Sequence, residues 1–239
     1  MQLSLRVLCA SNAFKESLTA QQSCRSMAHG VRAAARSLAF PVEVLETPLA
    51  DGGNSTQQVL VDALDGELVE VKVHDPLLNT VNSNYGIIHH SEGRKVAVIE
   101  MANASGLHLV EPSLRNPLKS STLGTGELIM HAVKESRVDE IVLCIGGSAT
   151  CDGGMGAAYA LGYQFLTQEG VSFHPFGGSL TQLDQIIAPS PNPLEKVSLT
   201  IACDVVNPLL GEFGSVNVYA PQKGAKPSEL PILEQGLSK

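Results

Sequence analysis

The sequence contains no run of Lys or Arg, and its formal net charge is −8. This charge balance argues against nucleic acid and anionic membrane surfaces as main partners, because both are bound through clustered positive charge. A small anionic substrate stays possible, since single loops can be positive on an acidic protein. No stretch approaches the ~20 apolar residues of a membrane-spanning helix. The opening segment MQLSLRVLCASN is typical of a first strand rather than a secretion signal, since its one Arg lies inside a short apolar run.

Cysteine and histidine patterns typical of metal or disulfide sites are also missing. The seven His residues form no HExxH motif, so a transition-metal site is not indicated. The five cysteines form no CxxC motif and are scattered along the chain: Cys9, Cys24, Cys144, Cys151 and Cys203. This scatter predicts reduced, mostly buried thiols in a cytoplasmic protein.

The common nucleotide-binding motifs do not occur. A Walker A loop requires GxxxxGK[ST], and no Lys follows the glycine-rich segment IGGSATCDGGMG in that pattern. GxGxxG is absent too, so a nicotinamide-dependent oxidoreductase is not favoured.

A strand–helix–strand unit is present at the start of the chain. Residues 3–10 are strand-like and apolar. Thr19 and Gln22 form a capping-box pattern that predicts a helix as far as about Leu38. Residues 42–47 alternate like a second strand, so the unit is βαβ and its strands are expected to be parallel.

The pattern changes after a second helix, which is expected to start at Asn54 or Ser55 and to end at Gly66 as the C′ residue. Short strands then dominate, which predicts a mixed-sheet module over 67–239 beside a first module over 1–66. The strand 140–145 is expected to be the most buried. The strands predicted in the second module are 68–73, 84–89, 95–102, 140–145, 163–167, 197–203 and 215–220, and its helices are 125–136 and 229–237.

Two loops of the first module are expected at the carboxyl edge of its sheet, where open α/β sheets bind ligands. The first contains Lys15, a compact cation suited to phosphate or carboxylate, and Ser17. The second contains Asp51, followed by two glycines that let backbone N–H groups approach a ligand closely. The alternative is an exposed lysine and an ordinary Asp-Gly-Gly turn.

The segment IGGSATCDGGMG follows an apolar strand. Gly146 and Gly147 permit unusual dihedral angles, and Asp152 is placed to cap a helix that starts at Gly153. Each glycine at a helix start lowers helix stability by about 1 kcal/mol relative to alanine. This loss is understandable where free N–H groups must face an anion. Ser148 and Thr150 add hydroxyl donors. The alternative is a glycine-rich packing turn.

Three further positions carry similar chemistry. Gly124, Thr125 and Gly126 form another helix start, for which a simple N-cap is the alternative. Asp204 follows a strand and is suited to a metal-binding or catalytic role, and the alternative is a turn residue before Asn207-Pro208. Lys223 lies in a loop beside Gly224. Glycine-rich loops, strand-end carboxylates and loop lysines together favour phosphoryl transfer, with an Asp taking the hydroxyl proton and Mg²⁺ on the phosphates.

Seven segments, in order, resemble the glycerate kinase type I family: AFKESLTA, PLADGGNST, IEMANASGL, RNPLKSSTLGTGELI, IGGSATCDGGMG, ACDVVNPLLG and APQKGA. The resemblance implies ATP-dependent phosphorylation of a hydroxyl of D-glycerate, with Mg²⁺. It also implies a two-domain α/β fold, in which one domain is Rossmann-like with a parallel βαβ module and the other has a mixed sheet.

Roles within that reaction follow from chemistry and loop position. The ATP phosphates are expected at the loop that begins with Gly146, Gly147 and Ser148 and continues through Thr150 and Gly153. The carboxylate of glycerate is expected at Lys15 or at the 124–126 helix start, with Ser17 and Lys223 as further substrate contacts. Asp152 or Asp51 is expected to be the base, and Asp204 the magnesium ligand.

The chain departs from the family in three places. The family usually has Glu-Gly where Asn54-Ser55 stands and Asn where Cys151 stands. Family members also continue past PILEQGLSK, so much of the Rossmann-like domain is expected to be absent from this chain. Because of these departures, one alternative stays open, in which this chain is a catalytically inactive homologue that binds a ligand or partner. We expect the first module either to lean on the second or to expose an apolar patch that favours a homo-oligomer.

Overall fold

The structure, a computed structural model, describes residues 5–14, 17–53, 55–90 and 93–239. Its first unit consists of strand β1 (Leu5–Ser11), helix α1 (Ala20–Ser37) and strand β2 (Val42–Pro48). The two strands pair in parallel along their whole length. The predicted βαβ unit is therefore confirmed.

The predicted capping box begins α1. The Thr19 hydroxyl accepts a hydrogen bond of 3.2 Å from the N–H of Gln22, and the Gln22 side chain accepts one of 2.9 Å from the N–H of Thr19. Two N–H groups at this end of the helix are thereby satisfied.

Helix α2 (Thr56–Ala63) ends differently from the prediction. The left-handed residue is Asp65, with φ of 51°, and Gly66 is not left-handed. A Cβ on Gly66 would overlap the carbonyl oxygen of Ile87. Gly66 is therefore needed for close approach to a strand, and the prediction of a C′ glycine is wrong.

The strands of the second module are β3 (Glu67–His74), β4 (Thr80–His89), β5 (Lys95–Glu100), β6 (Glu140–Cys144), β7 (Gln164–Leu166), β8 (Gln185–Ile187) and β9 (Ser198–Ala202). Among the described residues, the largest sheet has five strands in the order β3-β4-β5-β6-β9. Strands β3, β4 and β5 pair antiparallel, whereas β5, β6 and β9 pair in parallel. The predicted mixed sheet is therefore confirmed.

The main core lies on one face of this sheet and includes Tyr85, Ile87, Ile99 and Leu128. Helix α2 packs on the opposite face, against β4 and β5. Because β5 is covered on both faces, five of its six residues are buried, compared with two of five in β6. The expectation that residues 140–145 form the most buried strand is therefore wrong. The helices of this module are α3 (Ala102–Ser105), α4 (Leu123–His131), α5 (Met155–Ala160), α6 (Ser215–Tyr219) and α7 (Leu230–Leu237).

The segment 215–220 is a helix, α6, and not the predicted strand. Its β-branched residues suggested a strand, but Val216 and Ala220 are four residues apart and share one helix face. Both pack against Leu233 of α7 in a small second cluster. Helix 125–136 also differs, since α4 ends at His131 and a π-helical turn covers Ala132–Ser136.

The first module both contacts the second module and exposes apolar surface. Helix α2 lies on the large sheet, while Leu8 and Leu45 in the parallel pair are 60% and 42% exposed. Division of the chain at residue 66 and self-association stay predictions. Among the described residues, no helix is long and apolar enough to cross a bilayer.

Candidate functional site

Two glycine-rich loops that were predicted to approach a ligand meet at the carboxyl edge of the sheets. Gly52 and Gly53 follow β2, and Gly146 follows β6 after one residue. A Cβ added to Gly146 would lie 2.9 Å from the Cα of Gly53, and one on Gly52 would lie 2.9 Å from the carbonyl oxygen of Ala202 at the end of β9. The glycines therefore allow the ends of three strands to converge.

Asp51 lies at this junction and is exposed. Its Oδ2 accepts a 2.7 Å hydrogen bond from the side-chain amide of Asn12, which follows β1. Its Oδ1 accepts a 3.0 Å bond from the N–H of Gly53. The carboxylate is thus oriented by two donors and is still accessible to a ligand.

The turn at Gly146 and Gly147 follows the predicted geometry at Gly147 only, because Gly146 does not have a positive φ. Gly147 is exposed and has φ of 76°, which glycine adopts without strain. Its carbonyl accepts a 2.9 Å bond from Leu107 N–H. Within the part of the chain that the structure describes, the N–H groups of Gly146 and Gly147 have no hydrogen-bond partner. These amides are therefore available to an anion.

Lys223 lies beneath this turn and is only 9% exposed. Its ammonium group donates to the hydroxyl of Ser148 at 2.8 Å and to the carbonyl of Thr150 at 2.6 Å. Burial lowers the pKa of Lys223, while the nearby Cys151 and Asp152 raise it. The lysine joins two predicted phosphate-loop residues, and its contact with substrate stays a prediction, which its burial does not favour.

Asp152 is in the interior, with 1% exposure. Its Oδ2 accepts hydrogen bonds from the N–H and hydroxyl of Thr122, each at 2.7 Å, and from the N–H of Gly156 at 3.1 Å. Its Oδ1 accepts one from Gly154 at 3.2 Å. The carboxylate caps α5, as predicted, although that helix starts at Met155 rather than Gly153. Burial raises the pKa of Asp152, while these hydrogen bonds lower it.

The geometry of Asp152 does not suit a general base, because its oxygens already accept four bonds from the protein and no substrate atom could reach them without disrupting these contacts. Its position supports a structural role.

The helix start at Gly124, Thr125 and Gly126 is buried as well. A Cβ on Gly124 would overlap the carbonyl oxygen of His74, and one on Gly126 would overlap that of Ala157. Thr125 shares a 2.7 Å hydroxyl contact with Ser105. These residues bring α4 close to β3 and α5, so the structure gives them a packing role. Substrate binding at this helix start stays an untested prediction, which the burial does not favour.

The remaining predicted site residues are distributed around the same edge. Asp204 is exposed two residues beyond β9, and Gly153 is exposed at the start of α5. Ser17 is exposed in the loop after β1. Lys15 and Asn54 lie outside the described residues.

A polar cavity beside α2 was missed by the sequence reasoning. It has a volume of about 380 Å³ and is lined in part by Gln57, Asn84, Glu100, Asn103 and His108. The Gln57 side-chain amide donates to Asn84 at 2.6 Å, and the Asn103 amide donates to Gln57 at 3.2 Å. The sequence signal that could have revealed this cavity is Glu100, a carboxylate that ends the apolar run KVAVIE.

The sheet order and the glycine loops at its carboxyl edge define an α/β protein of two sheet modules whose candidate ligand site lies where strands end. The chain belongs to the glycerate kinase family, whose sequence profile matches residues 7–239. The family resemblance drawn from the seven motifs is thereby confirmed.

Individual relatives agree with this assignment. A glycerate kinase of Halalkalibacterium halodurans is 46% identical over 97% of this chain and 59% of its own length. A glycerate kinase of Bacillus subtilis is 42% identical over 98% of this chain and 59% of its own. A glycerate 2-kinase of Escherichia coli is 38% identical over 98% and 60%.

A solved structure described as glycerate kinase 2 from Salmonella typhimurium LT2 is similar with a TM-score of 0.81 and 39% identity, covering 99% of this chain and 61% of that one. The chain thus spans about three fifths of the length of the relatives that it matches.

Proposed function

We propose that this chain carries out ATP-dependent phosphoryl transfer to a hydroxyl of D-glycerate, giving phosphoglycerate and ADP. Membership of the glycerate kinase family supports the reaction and the acceptor. The observation that carries the proposal for the site is the contact between the Asp51–Gly53 loop and the Gly146–Gly147 turn. This contact joins an accessible carboxylate to uncovered backbone donors.

The Gly146–Gly147 turn is suited to the transferred phosphoryl group. Uncovered N–H groups beside Ser148 can donate to phosphate oxygens, as backbone donors do in other phosphate-binding loops. Lys223 is largely buried, and its ammonium group contacts Ser148 in this loop and adds positive potential there. Phosphoryl transfer depends mostly on such positioning and charge neutralisation.

Asp51 is the proposed base. The acceptor oxygen attacks the γ-phosphorus as the bond to the β–γ bridging oxygen breaks, and the hydroxyl proton passes to the Asp51 carboxylate. Asn12 and Gly53 orient this carboxylate while leaving it exposed. Asp152 is assigned to holding the loop, because its oxygens are occupied by Thr122, Gly154 and Gly156.

Asp204 is the proposed ligand of Mg²⁺, which neutralises phosphate charge when bound. The residues present fit that ion, because Mg²⁺ usually takes one or two carboxylates and completes its shell with water and substrate phosphates. Among the described residues no group of three acidic, His or Cys side chains could hold a metal on its own. Asp204 is exposed beyond β9, on the side where Gly52 contacts Ala202.

The acceptor carboxylate is proposed to contact Lys15, with Ser17 nearby in sequence. Gly124, Thr125 and Gly126 are less suited because the packing of α4 covers them. We also propose that the protein acts in the cytoplasm.

A coupled ADP-release assay with D-glycerate, ATP and Mg²⁺ tests the function. The proposal predicts ADP release that requires both substrates. Calorimetry with each substrate measures binding separately from turnover. Binding without turnover would instead support the catalytically inactive homologue, and absence of both would contradict the proposal.

A further inference from the structure

Glu100 is a buried carboxylate that the proposed reaction does not use. It ends β5 and is 6% exposed. Its Oε1 accepts a 2.8 Å hydrogen bond from the backbone N–H of Gln57, at the start of α2. Burial raises the pKa of Glu100, while the backbone N–H groups of Gln57, Ser55 and Thr56 lower it. The carboxylate therefore faces the amino end of α2.

Helix α2 has no side-chain cap of its own. Ser55, at its N-cap position, is left-handed with φ of 73°, and its side chain makes no capping hydrogen bond. Ser55 therefore lacks the extended backbone of an ordinary capping residue. A carboxylate at a helix N-terminus satisfies free N–H groups and interacts favourably with the helix dipole. Glu100 caps the start of α2 from strand β5, 43 positions away from Gln57 in the sequence.

The start of α2 in turn holds the loop that contains Asp51. The Thr56 hydroxyl accepts a 3.1 Å bond from the N–H of Gly52 and donates a 2.8 Å bond to the carbonyl of Gly53. A shift of this first turn would therefore move the loop that faces Gly146.

We propose that Glu100 is a positioning residue that fixes the first turn of α2 and, through Thr56, places the Asp51 carboxylate against the Gly146–Gly147 turn. This proposal rests on the proposed function only for its effect on catalysis. Its structural part depends only on the contacts of Glu100 and of Thr56. Glu100 does not contact the reacting atoms.

Neighbouring groups leave Glu100 available for this role. Gln57 uses its side chain on Asn84 and Asn103, so it does not compete for the Glu100 carboxylate through the amide bonds described. Cys144 lies close enough that burial and the Glu100 charge raise the pKa of its thiol to about 11, which keeps it neutral. His108 is the other titratable residue that lines the adjacent cavity.

Hydrogen exchange tests the structural part. In the wild-type chain the amides of Ser55, Thr56 and Gln57 should be protected, and Glu100→Ala should accelerate exchange across 51–58 by about tenfold or more, because the helix start loses its hydrogen-bond acceptor. Glu100→Gln keeps one acceptor oxygen and should restore part of the protection. Glu127→Gln is the matched control, because Glu127 accepts a 2.8 Å bond from the His74 backbone in another part of the fold. This control should leave exchange in 51–58 unchanged.

Kinetics test the consequence. Glu100→Gln should lower kcat by about tenfold or more and leave KM for ATP within about twofold, because a displaced base slows the chemical step without removing phosphate contacts. The proposal would be overturned if exchange at 51–58 were unchanged in Glu100→Ala. It would also be overturned if the wild-type amides in that segment exchanged as fast as unprotected amides. If the wild type shows no turnover, the proposed function fails, and exchange alone still decides the role of Glu100.

Discussion

The ammonium group of Lys223 lies 2.8 Å from the hydroxyl of Ser148, on the inner side of the glycine turn. The two residues are 75 positions apart in the sequence. Their contact, together with the bond from Lys223 to the Thr150 carbonyl, ties the segment after α6 to the loop after β6. The candidate phosphate loop is thus supported by a charge that solvent hardly reaches.

Replacing this lysine should weaken both the fold and the loop. Lys223→Met removes the donor and leaves the Thr150 carbonyl unpaired, so we expect the free energy of unfolding to fall by about 1–3 kcal/mol. ATP affinity, measured by calorimetry, should fall as well. Lys226→Met is a suitable control because Lys226 is exposed. Equal ATP affinity in both variants would show that Lys223 does not support the loop.

Asp51 and Asp152 should respond in opposite ways to the same substitution. Asp152→Asn places an amide donor among four N–H and O–H donors, and we expect a loss of about 3 kcal/mol in chemical denaturation. Asp51→Asn should leave stability within about 0.5 kcal/mol because the side chain is exposed. It should lower kcat by at least about 100-fold if Asp51 is the base. Retained turnover in Asp51→Asn would remove that assignment.

Close approach between the two glycine loops can be tested with a single methyl group. In Gly146→Ala the new Cβ would lie 2.9 Å from the Cα of Gly53, which is too close for backbone atoms to coexist unmoved. We expect reduced turnover and lower stability by about 1–3 kcal/mol.

The matched control for this substitution is Gly30→Ala in α1. No heavy atom lies within 4 Å of the added Cβ. The structure there tolerates the change, so this variant should gain about 0.5–1 kcal/mol of helix stability. A neutral Gly146→Ala would show that the loops do not need their close contact.

Because the pKa of Glu100 is raised in the folded chain, the free energy of unfolding should depend on pH. The ordinary value of this pKa is 4.5, and burial raises it in the folded chain. The folded state therefore binds a proton more readily than the unfolded state, so stability from this group is fully present below pH 4.5 and falls as pH rises through the folded pKa. Glu100→Gln should lose this dependence. Denaturation curves collected from pH 4 to pH 8 should show the stability of the wild type falling relative to that of Glu100→Gln as pH rises.

Local patterns predicted the elements that depend on neighbouring residues. The Thr19–Gln22 capping box, the parallel pair β1–β2 and the strand ending at Cys144 are all visible as short-range signals. The glycine turn at Gly146 was predicted for the same reason. The helix at Ser215–Tyr219 was missed because packing against Leu233 determined it, and strand propensity is easily overridden by such contacts.

Long-range contacts limited what the sequence could say about the site. Asp152 and Asp51 were equivalent as candidate bases, and only the bonds from Thr122 and Gly156 distinguish the buried carboxylate from the accessible one. Glu100 was overlooked because its partner amides in α2 are far away in the sequence. Gly124 and Gly126 had the pattern of an anion site, yet the strand and helix beside them occupy that space.

The central claim is that the uncovered amides of Gly146 and Gly147 bind phosphate oxygens beside Asp51. Backbone ¹⁵N–¹H chemical shifts recorded during titration with ATP and Mg²⁺ test it most directly. The largest changes are predicted at Gly146, Gly147 and Ser148, with smaller ones at Gly52 and Gly53. ATP binding that leaves the amide shifts of Gly146 and Gly147 unchanged would contradict the claim.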